Sequence, residues 1–190
     1  MSKSYWFIVF IASFSCRAYS NDLSNLIQYG AGYYGSIYIH EFGHAVAAKY
    51  YGASDIEIQV AQKGNYFGGV THYKNSIENS TPFTNRVESL AGLLAGNLAG
   101  EIVIQKEGLH SNPFAQSIAS TAQVTNLANV YNYYTRHRGE NGWEGNDIDQ
   151  FELSGGNPHL LSAILAGYTI WSLKRMGEKH IPLYGFEYKF

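Results

Sequence analysis

Residues 33–60 read YYGSIYIHEFGHAVAAKYYGASDIEIQV, and the fold follows from how that stretch is read. The apolar residues Ile37, Ile39, Ala45, Val46 and Ala48 surround the run His40-Glu41-Phe42-Gly43-His44. The pattern predicts a helix from about Asp22 to Tyr51, loosened by Gly30, Gly32 and Gly35 and closed by Gly52, in the place a helix C-cap prefers. Residues four apart on a helix share a face, so His40 and His44 stand one above the other. Beyond Gly52 the period changes. Ile56, Ile58 and Val60 alternate with Glu57 and Gln59, which predicts a half-buried strand.

Two imidazoles at that spacing can give their nitrogens to one ion, and Glu41, one step round, can reach a water on that ion. Zinc in a catalytic site keeps three protein ligands and one open position, and it lowers the pKa of water there to about 7. The Glu41 carboxylate can then take the water's proton and pass it to a leaving amine. Gly43, without a side chain, lets another segment or a substrate lie close to the helix. The third ligand has to come from elsewhere. After His44 the candidates are Glu101, Asp147, Asp149, His72, His110, His137 and His159. Asp147 follows a Gly-rich loop and opens a predicted helix, where it is either a ligand or simply an N-cap. Glu101 sits on another helix. Chemistry alone leaves Asp147 and Glu101 evenly placed.

Working outward, Lys63-Gly64-Asn65 reads as a turn and Tyr66–Tyr73 as a second strand, with Gly68-Gly69 a bulge or a close backbone approach. Thr81-Pro82 opens a helix with a capping residue and a proline at its first position. That helix carries Gly92, Gly96 and Gly100, four apart, a face that allows close helix packing. Asn97 and Glu101 interrupt it as a membrane span, so it reads as a core helix. Further helices are expected over Pro113–Arg136 and His159–Met176, with a loop at Arg138–Gly145 between them.

Composition excludes several classes. The chain has 190 residues with 13 Lys+Arg against 15 Asp+Glu, a net charge of −2, so it lacks the basic face of a nucleic-acid binder. Charged residues are 15%, below the roughly 25% of ordinary soluble domains. Sixteen Tyr and ten Phe argue against disorder. A single cysteine, Cys16, rules out an internal disulfide and a cysteine-based metal site. Residues 1–20 have a lone Lys3, an apolar run through Trp6–Ala12 and small residues at Ala18 and Ser20, the layout of a cleaved signal peptide. The alternative is an N-terminal anchor formed by residues 5–15. Removing residues 1–20 would take Lys3, Arg17 and Cys16 with them, leaving a mildly acidic, thiol-free domain over 21–190 that suits an oxidising compartment.

HEFGHAVAAKYYGASDIEIQV followed by GNYFGGVTHY resembles the peptidase domains of two zinc-protease groups. FtsH-type proteases have a HEAGHA helix, a strand, a Gly-rich turn and second strand, a LAGRAAEE-like helix and an Asn-Asp-Ile third ligand. Leu94–Glu101 (LAGNLAGE) and Asn146-Asp147-Ile148 are similar to these. Site-two-protease-type enzymes have an AGPLAN-like helix, an Asn-rich helix and a late Asp ligand, which Leu90–Asn97 (LAGLLAGN) and Asn126–Asn132 (NLANVYN) resemble. The resemblance covers roughly residues 33–150. It departs in the 103-residue gap from His44 to Asp147, in the lack of an ATPase domain and in the lack of membrane spans around the site.

The resemblance implies an α+β fold: a mostly helical zincin-like domain with a small β-sheet beside the active-site helix. It implies Zn2+ held by His40, His44 and Asp147, with Glu41 as the general base and Glu101 orienting a histidine or serving as an alternative ligand. A strand presenting Gly68, Gly69, Val70 and His72 would bind an extended peptide through its main chain, and His72 or Tyr73 would stabilise the oxyanion. The expected function is peptide-bond hydrolysis by a secreted or periplasmic enzyme. Its partner would be a peptide or protein substrate, with no nucleotide or nucleic acid. The alternatives are an inactive metal- or peptide-binding protein on the same scaffold and a zinc amidase acting on a non-protein amide.

Overall fold

The computed structural model describes residues 23–60, 68–74, 80–136, 138 and 145–184. The signal segment 1–20, the turn at 63–65, Tyr66 and Phe67 of the second strand, His137 and residues 139–144 of the loop lie outside the described residues. The chain runs α1 (Leu23–Tyr50), β1 (Ser54–Val60), β2 (Gly69–Lys74), α2 (Pro82–Gln105), a single 3-10 turn (Glu107–Leu109), α3 (Pro113–Thr135), α4 (Asp147–Leu153) and α5 (Pro158–Glu178). It is an α+β fold, mostly helical with one two-stranded antiparallel sheet.

The helix boundaries follow from local chemistry. Thr81, Asn112 and Asn157 each accept a bond from a first-turn amide, and each is followed by Pro at the first helical position. The side-chain oxygen satisfies an orphan donor, and proline gives up only an amide that had no partner. α1 stops at Gly52, whose φ is +88°. In that conformation Gly52 N–H donates to Lys49 O at 3.0 Å and Ala53 N–H to Ala48 O at 2.9 Å, which turns the chain into β1.

The two strands pair from Val60↔Gly69 through Glu57↔His72, with a register irregularity between Ser54 and Glu57. The irregularity therefore lies in β1, where Asp55 has a φ of +53°, and not at Gly68-Gly69. Both strands pack on α1, so the sheet lies beside the helix that carries the two histidines.

α3 is the central helix, packing on α1, α2 and α5. One apolar cluster joins Val103 and Ile104 of α2, Ala115, Ile118 and Ala119 of α3, and Met176 and Ile181. A second joins Leu93, Ile148, Leu161 and Leu165. The glycines expected to loosen α1 do different work. A methyl group on Gly32 would overlap Phe114 O and lie 2.7 Å from Ser117 Cβ, and on Gly35 it would meet the Phe114 ring at 3.4 Å. These two positions let α3 lie against α1. Gly30 has nothing within 4 Å of its added methyl.

Gly32→Ala and Gly30→Ala should therefore move stability in opposite directions. Alanine gains about 1 kcal/mol of helix propensity at either site. At position 32 overpacking against a backbone carbonyl costs about 1–3 kcal/mol and outweighs that gain. Thermal melts should show Gly32→Ala below wild type and Gly30→Ala at or above it.

Candidate metal centre

α1 places His40 and His44 on its inward face with their Nε2 atoms 3.2 Å apart. Asp147 comes to the same point from the other side of the bundle. Its Oδ2 is 3.2 Å from His40 Nε2 and its Oδ1 is 3.4 Å from His44 Nε2, and all three side chains are about one-seventh exposed. Among the described residues these three are the one group of His, Cys, Asp or Glu side chains close enough to share an ion.

Asp147 can point inward because Asn146, and not Asp147, caps α4. The Asn146 Oδ1 accepts from Ile148 N at 3.0 Å and from Asp149 N at 3.1 Å, while Asp149 Oδ2 accepts from Asn146 N at 2.8 Å. Asn129 of α3 fixes this corner. Its backbone carbonyl accepts from Asn146 Nδ2 at 2.7 Å and its Oδ1 accepts from Asp147 N at 3.2 Å. Asp149 is thus a capping residue. Burial pushes the Asp147 pKa up, but positive charge on His40 and His44 outweighs it and holds the carboxyl well below the usual range.

Three observations show that these residues fit a divalent cation. Zinc bonds of about 2.0–2.2 Å to nitrogen and oxygen put tetrahedral ligands about 3.3–3.5 Å apart, close to the separations found here. Asp147 Oδ2 is buried and makes no hydrogen bond, although it lies 3.2 Å from His40 Nε2. A methyl group on Gly92 of α2 would overlap His44 Nε2 and lie 2.8 Å from His40 Nε2. The glycine leaves room for both imidazoles to reach this point. Two imidazoles and a carboxylate suit zinc and other late first-row metals.

His44 Nδ1 donates to Glu88 O at 2.7 Å, so it is Nε2 that faces the shared space, and it carries the lone pair whenever the ring is neutral. The Glu88 carboxylate accepts from Tyr73 Oη at 2.9 Å, which ties β2 to α2. Glu41 is buried at 6% exposure. Its Oε2 accepts from Thr71 Oγ1 at 2.8 Å, and the same hydroxyl lies 2.9 Å from the Glu41 carbonyl oxygen. A methyl group on Gly69 would overlap Glu41 Cγ, so β2 crosses directly over this carboxylate.

Several expected roles need correction. Glu101 does not orient a histidine: its carboxylate is held by Arg175 at 2.8 and 2.9 Å and by Gln105 at 2.7 Å. It stands nine residues after Gly92, about 180° round the helix. The alternation along β2 turns Gly69, Thr71 and Tyr73 toward the helices and leaves His72 exposed on the other face with Val70. His72 is therefore not a third ligand or an oxyanion donor, and the Tyr73 hydroxyl is engaged by Glu88. His110 bonds to Ile104 O, and His159 stacks on Tyr134. Gly43 does admit another segment, which is α2: an added methyl would overlap Ala91 O and lie 2.7 Å from Ala95 Cβ. The glycine face of α2 divides its work. Gly92 faces the histidines, a methyl group added to Gly100 would lie 3.2 Å from Ala122 Cβ of α3, and Gly96 has nothing within 4 Å of its added methyl.

The sequence missed Thr71, Glu88, Gly92 and Asn129. The Asn-rich run 126–132 was a usable signal for Asn129. A backbone carbonyl such as that of Glu88 leaves no signal at all. No protein family, curated protein or solved structure matches the chain, so the resemblance rests on the residues quoted for it.

Metal content separates these roles. Asp147→Ala should lose tight zinc binding, whereas Glu101→Ala should retain wild-type occupancy. Gly92→Ala should lose the metal as completely as loss of a ligand does, while far-UV circular dichroism stays that of wild type. A Gly92→Ala protein with full occupancy would show that the glycine is not needed to seat the two histidines on the metal.

Proposed function

We propose that the chain is a zinc-dependent metallopeptidase that hydrolyses peptide bonds. The observation that carries this reading is the buried Glu41 carboxylate, clamped by β2 on the helix whose two histidines converge with Asp147. Bound zinc would supply a Lewis acid that makes water nucleophilic near neutral pH and polarises a carbonyl.

The chain's own residues supply the rest. His40, His44 and Asp147 would hold the ion, and Glu88 O orients His44 through its Nδ1. Thr71 donates to Glu41 Oε2, which fixes the rotamer, and Oε1 takes the proton of the attacking water. The same carboxyl then delivers that proton to the leaving amine, completing the acid–base cycle. Burial and a single oriented donor keep the base from swinging out to solvent.

β2 supports a peptide substrate. Its Gly69 lies against Glu41, and among the described residues the strand pairs on one side only, with β1. An extended peptide added along the other edge would be held by main-chain hydrogen bonds and would pass beside the base.

Glu41→Gln should keep the zinc and the fold and lower hydrolysis of an unfolded protein such as casein by about 10²–10⁴-fold. Glutamine matches the size of the base and cannot accept the proton. Activity within about threefold of wild type would remove Glu41 from the mechanism.

A further inference from the structure

The two imidazoles of the metal centre are not held alike. His44 gives its Nδ1 proton to Glu88 O. His40 turns Nε2 toward Asp147 and His44, and among the described residues its Nδ1 has no hydrogen-bond partner. A histidine that binds a metal through Nε2 carries its proton on Nδ1, and it nearly always donates that proton to a carboxylate, a backbone carbonyl or a water. For His40 the described protein atoms supply neither of the first two.

Beside His40, the three helices α1, α2 and α3 enclose a small cavity. Its walls include Ser36 and His40 of α1, Gly96 and Asn97 of α2, and Thr125 and Asn126 of α3, and it offers about 10 Å³ to the centre of a water-sized sphere. A water needs roughly 10–15 Å³ by that measure, together with two to four polar partners. Gly96 marks the same space independently. It is buried, yet a methyl group added to it would meet nothing within 4 Å. The polar walls have bonding capacity to spare. Ser36 is 3% exposed, and neither its hydroxyl nor that of Thr125 has a partner among the described residues. Asn97 and Asn126 bond to each other through both amides, at 3.1 and 2.8 Å, and Asn126 also donates to Thr169 at 3.2 Å. An amide oxygen has two lone pairs, so each of these two carbonyls keeps one. An apolar cavity of this size stays dry, whereas one lined by such groups takes up water.

We propose that this cavity binds one water, that the water accepts the Nδ1 proton of His40, and that Ser36, Thr125 and the Asn97–Asn126 pair hold it there as positioning residues for that ligand. The proposal rests on the metal-centre reading and adds what orients its second imidazole. The water accepts from His40 and donates its two hydrogens to two of the oxygens around it, Ser36 Oγ, Thr125 Oγ1 or an asparagine Oδ1. That makes three bonds, the usual number for a buried water. Asn126 carries the network on to Thr169 of α5, so a helix that supplies no ligand still braces the site. The arrangement also gives the buried Asn97–Asn126 pair a purpose beyond joining α2 to α3.

Gly96→Ala tests this directly, because its methyl group would stand in the cavity without meeting a protein atom within 4 Å. The measurements are zinc dissociation constants, by competition with a chelator, and thermal melts of the metal-free full chain, for wild type, Gly96→Ala and Ser36→Ala. Gly96→Ala should melt at or above wild type, since alanine favours a helix over glycine. It should nevertheless bind zinc about 10–100-fold more weakly, the usual loss when the outer partner of a metal-bound histidine is removed. A methyl group that merely filled a void would raise stability and leave zinc affinity alone. Ser36→Ala keeps the cavity and removes one of the water's partners, so its zinc affinity should fall between the other two. Zinc affinity equal to that of wild type in either variant would overturn the proposal and leave the metal centre standing. So would a zinc-loaded wild-type crystal with no water density within hydrogen-bond reach of His40 Nδ1. A wild type that takes up no zinc would instead refute the metal-centre reading, and the proposal with it.

Discussion

The fold converges on three side chains, two imidazoles and a carboxylate, that meet at one buried point and could share a cation. His40 Nε2, His44 Nε2 and the Asp147 carboxylate lie 3.2–3.4 Å apart, and groups brought that close need positive charge among them, on a protonated ring or a bound cation. The surrounding parts enforce the meeting. α1 sets the histidine spacing, Gly92 makes room for the two rings, and the Asn129–Asn146 bonds aim the first residue of α4 inward.

The sheet has the matching role for the base. Thr71 and Gly69 hold Glu41 from one strand, and two residues further on Tyr73 ties that strand to Glu88, whose carbonyl orients His44. Base and ligand are therefore positioned by the same six-residue strand. This coupling fits the proposed hydrolytic role, in which proton acceptor and metal ligands keep one relative geometry.

Much of the fold was legible because it is locally determined. The His40–His44 spacing, the Gly52 stop, the Thr81-Pro82 start and the strand alternation after Ser54 depend on a few neighbouring residues each. Roles that depend on how helices turn toward each other were not. Glu101 shares its helix with Gly92, and only their half-turn offset sets one against the two histidines and the other against Arg175. The glycines announced that something approaches closely but not what. Asp147 and Glu101 stayed level until the family resemblance favoured Asp147, and the structural reason is that Asn146 takes the capping work.

The central claim is that one metal ion is held by residues from α1 and α4. Anomalous diffraction at the zinc absorption edge, from crystals of the full chain, tests it most directly. The account predicts a single strong peak within bonding distance of His40 Nε2, His44 Nε2 and an Asp147 carboxylate oxygen, beside Gly92 Cα. A peak ligated by other side chains, or a zinc-soaked crystal with no peak at that point, would contradict it.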